Sequence, residues 1–221
     1  MDFTAHQGHA AIARLGEQGG FNGDRIAECA MPGIFASGTD WLQVVVEKSD
    51  LRESNLSGVR MRQTQIAHSQ LRKSRLRGAR LERVELYFDD LNELDATGLV
   101  ARRIKVHACE AMNACFSGAQ ISMSRFEDTK LARVKFDGAA IVRSVFADSR
   151  MGGASLERSD FTNARLADVS LKNANLMGAS FRGAMLVGVD FTDAALAGAD
   201  FSGACAVACQ FPAGFALPEG G

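Results

Sequence analysis

The residues able to do chemistry in this chain of 221 residues are scattered. Its four histidines, His6, His9, His68 and His107, do not stand at metal-ligand spacing. Its five cysteines, Cys29, Cys109, Cys115, Cys205 and Cys209, are odd in number and include no Cys-x-x-Cys pair. Such thiols read as isolated small apolar side chains in a reducing compartment, so a cytoplasmic protein is expected. There is no Gly-x-x-x-x-Gly-Lys phosphate cradle, no Gly-x-Ser-x-Gly turn and no His-Glu-x-x-His. Serine and threonine offer no nucleophile with a base and an orienting group. Asp128, Asp148 and Asp168 recur at a fixed interval and could hold a cation between them, but Arg125 and Arg165 flank them. Catalytic residues, cofactor and metal are therefore all expected to be absent.

The feature that does stand out is charge. Overall the chain carries −1, yet nine basic residues lie between Asp50 and Arg83 against only Asp50, Glu53 and Glu82. Arg60, Arg62, Arg80, Arg83, Arg102 and Arg103 form the candidate partner-binding ridge, and Arg72, Lys73, Arg75 and Arg77 lie near it. A concentration of like charge calls for an acidic protein, a nucleic acid or an anionic surface.

What positions these residues is a period of five. From Phe21, Ile26, Met31, Ala36 and Trp41 to Leu196, Phe201, Ala206 and Phe211, every fifth residue is apolar and no insertion breaks the phase. Two residues earlier stands a small residue, such as Ser54, Val59, Thr64, Ser69, Ala174 or Ala179. Two residues later glycine is frequent, as at Gly58, Gly78, Gly98 and Gly118. Asp, Asn, Gln, Arg or Ser often directly precedes the large residue. Neither the helical period of 3.6 nor the strand period of 2.0 explains this spacing. It requires a backbone that turns regularly and sends one large and one small side chain inward per repeat, with glycine suited to the turn.

Ala174-Asn175-Leu176-Met177-Gly178 and Ala199-Asp200-Phe201-Ser202-Gly203 carry the pattern in full. Over residues 21–211 the sequence resembles the pentapeptide-repeat family, whose consensus is close to Ala-(Asp/Asn)-Leu-x-x. The resemblance implies an all-β fold, a right-handed quadrilateral β-helix with four repeats per coil. Nearly ten coils at strand spacing make a rod of roughly 45 Å.

Residues 86–111 depart from the consensus. Ala96, Ala101, Val106 and Ala111 occupy large positions, while Leu94, Leu99, Ile104 and Cys109 occupy small ones. A shifted register would turn Asn92, Arg102 and His107 inward, at several kcal/mol each. The expected solution is an unchanged register with exchanged volumes. Asp24 and Asp89 are the charged inward residues. Asp24 reads as part of a frayed end, and Asp89 as a cap on backbone amides or a local bulge.

A solenoid needs its ends covered. Thr4-Ala5-His6-Gln7 reads as a capping box that opens a helix over residues 4–17, stopped by Gly19-Gly20. The expected organisation is an N-terminal cap over 1–20, the β-helix over 21–211 and a tail over 212–221, in which Phe211, Phe215 and Leu217 fold over the last coil. No run of apolar residues is long enough for a membrane span.

Beside the basic ridge, Tyr87, Phe88, Val145, Met185, Val187 and Val207 form a candidate apolar interface, for another protein or for a homodimer. The expected function is a non-enzymatic protein-interaction scaffold, set by the resemblance in bacterial secretion or effector systems. The alternative that the resemblance implies is a DNA-mimicking modulator of DNA gyrase, protecting it from quinolones or peptide toxins. Mimicry needs an acidic surface, which only Asp190, Asp193 and Asp200 in the lysine- and arginine-free stretch after Arg182 supply. Direct nucleic-acid binding is the remaining reading and predicts a steep dependence on salt.

Overall fold

A computed structural model describes residues 1–4 and 7–217. Each coil advances the chain by 20 residues: Phe21 pairs with Trp41, Trp41 with Met61 and Met61 with Leu81, all in parallel. The coil has four faces. Face I holds three-residue strands from Gly20–Asn22 to Ala140–Val142, in a 7-stranded sheet. Face II holds strands from Arg25–Ala27 to Cys205–Val207, in an 11-stranded sheet that begins with Asp2–Phe3. Faces III and IV join coil to coil by single bridges, such as Ala30 with Asp50 and Phe35 with Asn55, between tight turns.

The residue before each large one helps decide between strand and turn. On the turn faces, the Asp50 carboxylate accepts the Arg52 amide at 3.0 Å, Asn55 that of Ser57 at 3.1 Å and Asp190 that of Thr192 at 3.0 Å. These short side chains mimic a backbone turn and stabilise it locally. Uncapped neighbours such as Lys130 and Arg150 follow the same path, because each coil must bond to the next. On face II the equivalent residues are Arg25, Val45, Gln65, Glu85 and Lys105, none of which closes such a ring, and the backbone stays extended. Face I changes along its length. Beyond Val142 its residues at this position are Asp160, Ser180 and Asp200, and the strand gives way to a turn in which Asp160 and Asp200 cap Thr162 and Ser202, each at 2.9 Å. Asp40, an earlier aspartate on face I, is held by Arg60 instead.

Corners use the left-handed backbone well beyond the glycines. Gly58 has φ 67°, but Gln63, His68 and Arg83 adopt 51°, 52° and 53°. A non-glycine residue there costs about 1–2 kcal/mol. The corner amide gains a bond to the coil ahead, as from Gln63 to the Glu82 carbonyl and from Arg83 to that of Arg102, both at 3.0 Å.

Inside, aromatic rings stack along the axis. Phe126 lies 4.7 Å from Phe146, and Phe181 lies 5.2 Å from Phe161 and 5.0 Å from Phe201. Rings from different faces meet edge-on, as Phe181 and Phe191 do at 87°. Small positions of face III build a polar column. The Cys29 amide donates to Ser49 Oγ at 3.2 Å, Ser49 to Ser69 Oγ at 3.1 Å and Ser69 to Asp89 Oδ1 at 2.7 Å. Asp89 therefore caps a backbone amide, as its inward position suggested. Across 86–111 the register holds: Leu94, Leu99 and Ile104 are buried together with Ala96, Ala101 and Val106. These residues, with Phe116 and Phe126, surround a wholly apolar void of about 20 Å³. Asn92 points outward yet is covered, and its Oδ1 accepts the Met112 amide at 2.8 Å.

Both ends are closed more fully than the sequence suggests. The helix runs Gly8–Gln18, starting later than expected, with Gln7 before its first turn. Ala5 and His6 of the expected capping box lie outside the described residues. Gln7 Oε1 does accept the Thr4 amide at 2.9 Å, but no side chain caps the helix. Gly8 is required where it stands, since a Cβ would sit 2.8 Å from the Ala30 carbonyl oxygen. The frayed end expected at Asp24 is corrected. Its buried carboxylate meets the Met1 ammonium at 3.1 Å, Arg14 Nε at 3.2 Å and the Asn22 amide at 2.9 Å. Burial pushes this acid up, but the Asn22 amide, the ammonium and Arg14 outweigh it and hold it below the ordinary carboxylate value. The short Asp2–Phe3 strand, which no periodicity announced, carries that ammonium into place. At the far end Phe211 stacks on Phe191 at 5.0 Å and Phe215 covers Phe211 at 5.1 Å. Leu217 packs against the same cluster, and residues 218–221 of the expected tail lie outside the described residues. Among the described residues no helix is long and apolar enough to cross a membrane.

Candidate interaction surfaces

The strand register brings the predicted ridge together on face I. Arg60 stacks under Arg80, with Val100 next, and Arg62 and Arg102 lie on either side of Glu82. Arg83 and Arg103 stand at the adjoining corner. Arg60 binds Asp40 through two bonds of 2.5 and 2.7 Å, which hold the Asp40 acid below its usual range. Arg62, Arg80, Arg83, Arg102 and Arg103 form no ion pair among the described residues. Arg60, Arg62, Arg80 and Arg102 line an open trough of about 490 Å³ with Met61 and Leu81 at its floor. Charge on the turn faces is better matched, since Arg72 pairs with Glu93 at 3.2 Å and Arg77 with Asp95. Between residues 50 and 103 the arginines without an ion pair among the described residues thus lie on face I and its corner, apart from Arg75.

The six apolar candidates divide into two patches along face II. Tyr87 and Phe88 belong to an aromatic group with two histidines. Phe88, 54% exposed, lies parallel to the His68 ring at 4.9 Å and edge-on to His107 at 5.9 Å. Tyr87 meets His107 at 6.2 Å, and Lys105 Nζ lies 5.2 Å above the Tyr87 ring. Val145, Met185, Val187 and Val207 lie farther along, beyond Arg125 and Glu127, which pair with each other. Sequence reading set the histidines aside as scattered. The signal that would have found them is the coil period: His68 precedes Phe88, and Tyr87 precedes His107, by one full coil.

Little here resembles a reaction centre. Asp128, Asp148 and Asp168 stack at a corner, yet no group of His, Cys, Asp or Glu among the described residues is placed to hold a metal ion. Burial pushes the Cys109 thiol up to about 12, which makes it inert as a nucleophile. All five cysteines are free. Burial likewise pushes the Asp89 acid up to about 7, although the Ser69 and Tyr87 amides favour its charged form.

The family model for pentapeptide repeats matches residues 47–83, 142–176 and 174–209, with 8 copies. The chain is a pentapeptide-repeat protein. Its unmatched middle contains the coils in which large and small residues exchange places, while the solenoid continues through them in unchanged register. No curated protein sequence matches this pentapeptide-repeat protein. Among solved structures, a trypsin-treated form of QnrB1, a plasmid-mediated fluoroquinolone resistance protein, is 18% identical with a TM-score of 0.50, over 85% of this chain and 90% of that one. HetL, a pentapeptide repeat protein involved in heterocyst differentiation regulation from the cyanobacterium Nostoc sp. strain PCC 7120, is 20% identical with a TM-score of 0.34, over 88% and 95%. At 18% identity the likeness to QnrB1 speaks for the fold alone.

Proposed function

We propose that this pentapeptide-repeat protein is a non-enzymatic interaction scaffold in the cytoplasm that presents the arginine ridge of face I to an acidic protein surface. The observation that carries this reading is the crowding of five unpaired arginines on face I and its corner, where Arg80 stands one coil from Arg60 and Arg83 one coil from Arg103. Side chains stacked at about 4.8 Å repel by roughly 1 kcal/mol per pair even in water. A partner bearing carboxylates relieves that repulsion and gains charge-assisted, two-pronged hydrogen bonds. The aromatic group around Phe88, one face away, offers the apolar anchor such an interface needs. The bacterial secretion or effector setting implied by the resemblance is part of this proposal.

Affinity capture from the native host tests it, comparing the wild-type chain with a variant in which Arg62, Arg80, Arg83 and Arg102 are changed to glutamate. The expected partner is retained by the wild type, released by salt and missing from the variant. A partner held equally by both overturns the reading. Against the gyrase alternative, two of the three aspartates of the last coils, Asp190 and Asp200, are engaged as turn caps. Supercoiling assays with and without the purified chain decide it.

A further inference from the structure

Face I changes charge along its length in a way that makes it complementary to itself. Its outer rows read Arg60, Arg80, Val100, Gln120, Ala140, Asp160, Ser180, Asp200 and Arg62, Glu82, Arg102, Ser122, Val142, Thr162, Arg182, Ser202. The centre is uncharged: Val100, Gln120, Ser122, Ala140 and Val142 border a second shallow trough of about 480 Å³. Along one edge glycine takes the corner at Gly58, Gly78, Gly98, Gly118, Gly138, Gly178 and Gly198, and the one side chain that rises there, Arg158, falls opposite Gly98 in the pairing described below.

We propose that the acidic surface recognised by face I is that of a second copy of this chain, lying antiparallel on the first; the idea rests on the scaffold reading and names its partner. The two-fold axis crosses the face between the Gln120 and Ala140 coils, at right angles to the rod. This operation keeps each row opposite itself. Arg60 then faces Asp200 and Glu82 faces Arg182, twice over by symmetry, while Val100 faces Asp160 and Arg102 faces Thr162. At the corner Arg83 meets Gly183 and Arg103 meets Asn163. No like charges are opposed: the ion pairs are made by Arg60 and Arg182, while the unpaired Arg62, Arg80, Arg83, Arg102 and Arg103 face the neutral Ser202, Ser180, Gly183, Thr162 and Asn163.

The register is specific. A slip of one coil in one direction sets Arg62 against Arg182 and Asp40 against Asp200, and a slip in the other sets Arg102 against Arg182. A parallel pairing would exchange the rows and set the Arg60 row against the Arg62 row. The existing Arg182–Asp200 pair (3.7 Å) is exposed and weak, so it exchanges readily for intermolecular partners, whereas Arg60 is held by two bonds to Asp40 and meets Asp200 from that position. Eight coils at about 4.8 Å by five residues at about 3.3 Å give a strip of roughly 600 Å² per copy. The total is near the lower bound for a specific interface, which suits a reversible dimer.

Glu82 and Arg182 provide the test, since both are exposed on face I, cap no turn and are not themselves among the unpaired ridge arginines. Sedimentation and light scattering of the full chain are expected to show a dimer that weakens with salt. Glu82→Arg and Arg182→Glu alone are each expected to raise the dissociation constant about tenfold or more, and together to restore it to within about threefold. Circular dichroism confirms that each variant keeps its fold. A wild-type chain that stays monomeric at about 100 µM, or a double variant that fails to regain the dimer, overturns the proposal. A monomer that still captures a ridge-dependent acidic partner removes the self-pairing alone and leaves the scaffold reading standing. Loss of both removes the two together.

Discussion

Between Phe161 and Phe201 the coils fill their interior with phenylalanine or leucine at the large position and alanine or valine at the small one. Between Leu94 and Val106 the volumes run the other way, with leucine or isoleucine at small positions and alanine or valine at large ones. Both stretches keep one row register, although face I is a strand in the second and a capped turn in the first. The register thus answers to the total volume turned inward by each coil, not to its division between the two positions. What differs is quality of fit. Stacked rings leave little space, whereas the exchanged coils enclose the apolar void and lie beside a buried acid.

Breaking the tight region should have the largest effect. Phe181→Ala removes a ring stacked on both sides and met edge-on by Phe191, and is expected to cost about 3–5 kcal/mol in denaturant unfolding. The next effect tests the loose region. The Asp89 acid is raised from 3.8 to about 7, so the native state binds its proton more tightly than the unfolded chain does. Its contribution is fully present below about pH 4 and is lost as pH rises through about 7. Urea unfolding at pH 4.5 and pH 8 should show the wild type weakening across that window. Asp89→Ser, which continues the hydroxyl column and still accepts the Ser69 amide, should remove that component of the pH dependence. An unaltered pH profile would show that the carboxylate is not stressed by burial.

Overpacking sharpens the contrast at smaller scale. Ala184→Val, in the tight coils, is expected to cost about 1–3 kcal/mol, while Ala111→Val, beside the void, should stay within about 1 kcal/mol of wild type. Equal losses would mean that the void is not usable space. The smallest effect concerns the turns: Asp190→Ala should lose about 1 kcal/mol, and the uncapped Lys130→Ala on the same face close to none.

The five-residue phase made the core legible in sequence, including the exchanged register, because burying Arg102 or His107 would have been far costlier than moving a methyl group from one position to another. Asp89 was legible as a cap or a local bulge, and its bond from the Ser69 amide decides for the cap. The split into two strand faces and two turn faces was not, since it rests on which short side chains close a ring with their own backbone. The lock around Asp24 was hidden as well, because a two-residue strand carries no period and an N-terminal ammonium is not a side chain. On the surface the arginine ridge could be read directly from spacing. The histidine partners of Phe88 and Tyr87 became visible only when residues one coil apart were set side by side.

The four-sided path gives every outward residue two addresses, a face and a level. Removing a whole coil would shorten the rod and leave each remaining residue on its own side. Removing a single pentapeptide would keep the interior equally apolar but rotate everything beyond it by a quarter turn, carrying Asp160 and Asp200 off the side that bears Arg60 and Arg80. The unbroken phase from Phe21 to Phe211 therefore preserves more than packing: it preserves which chemical groups look in the same direction.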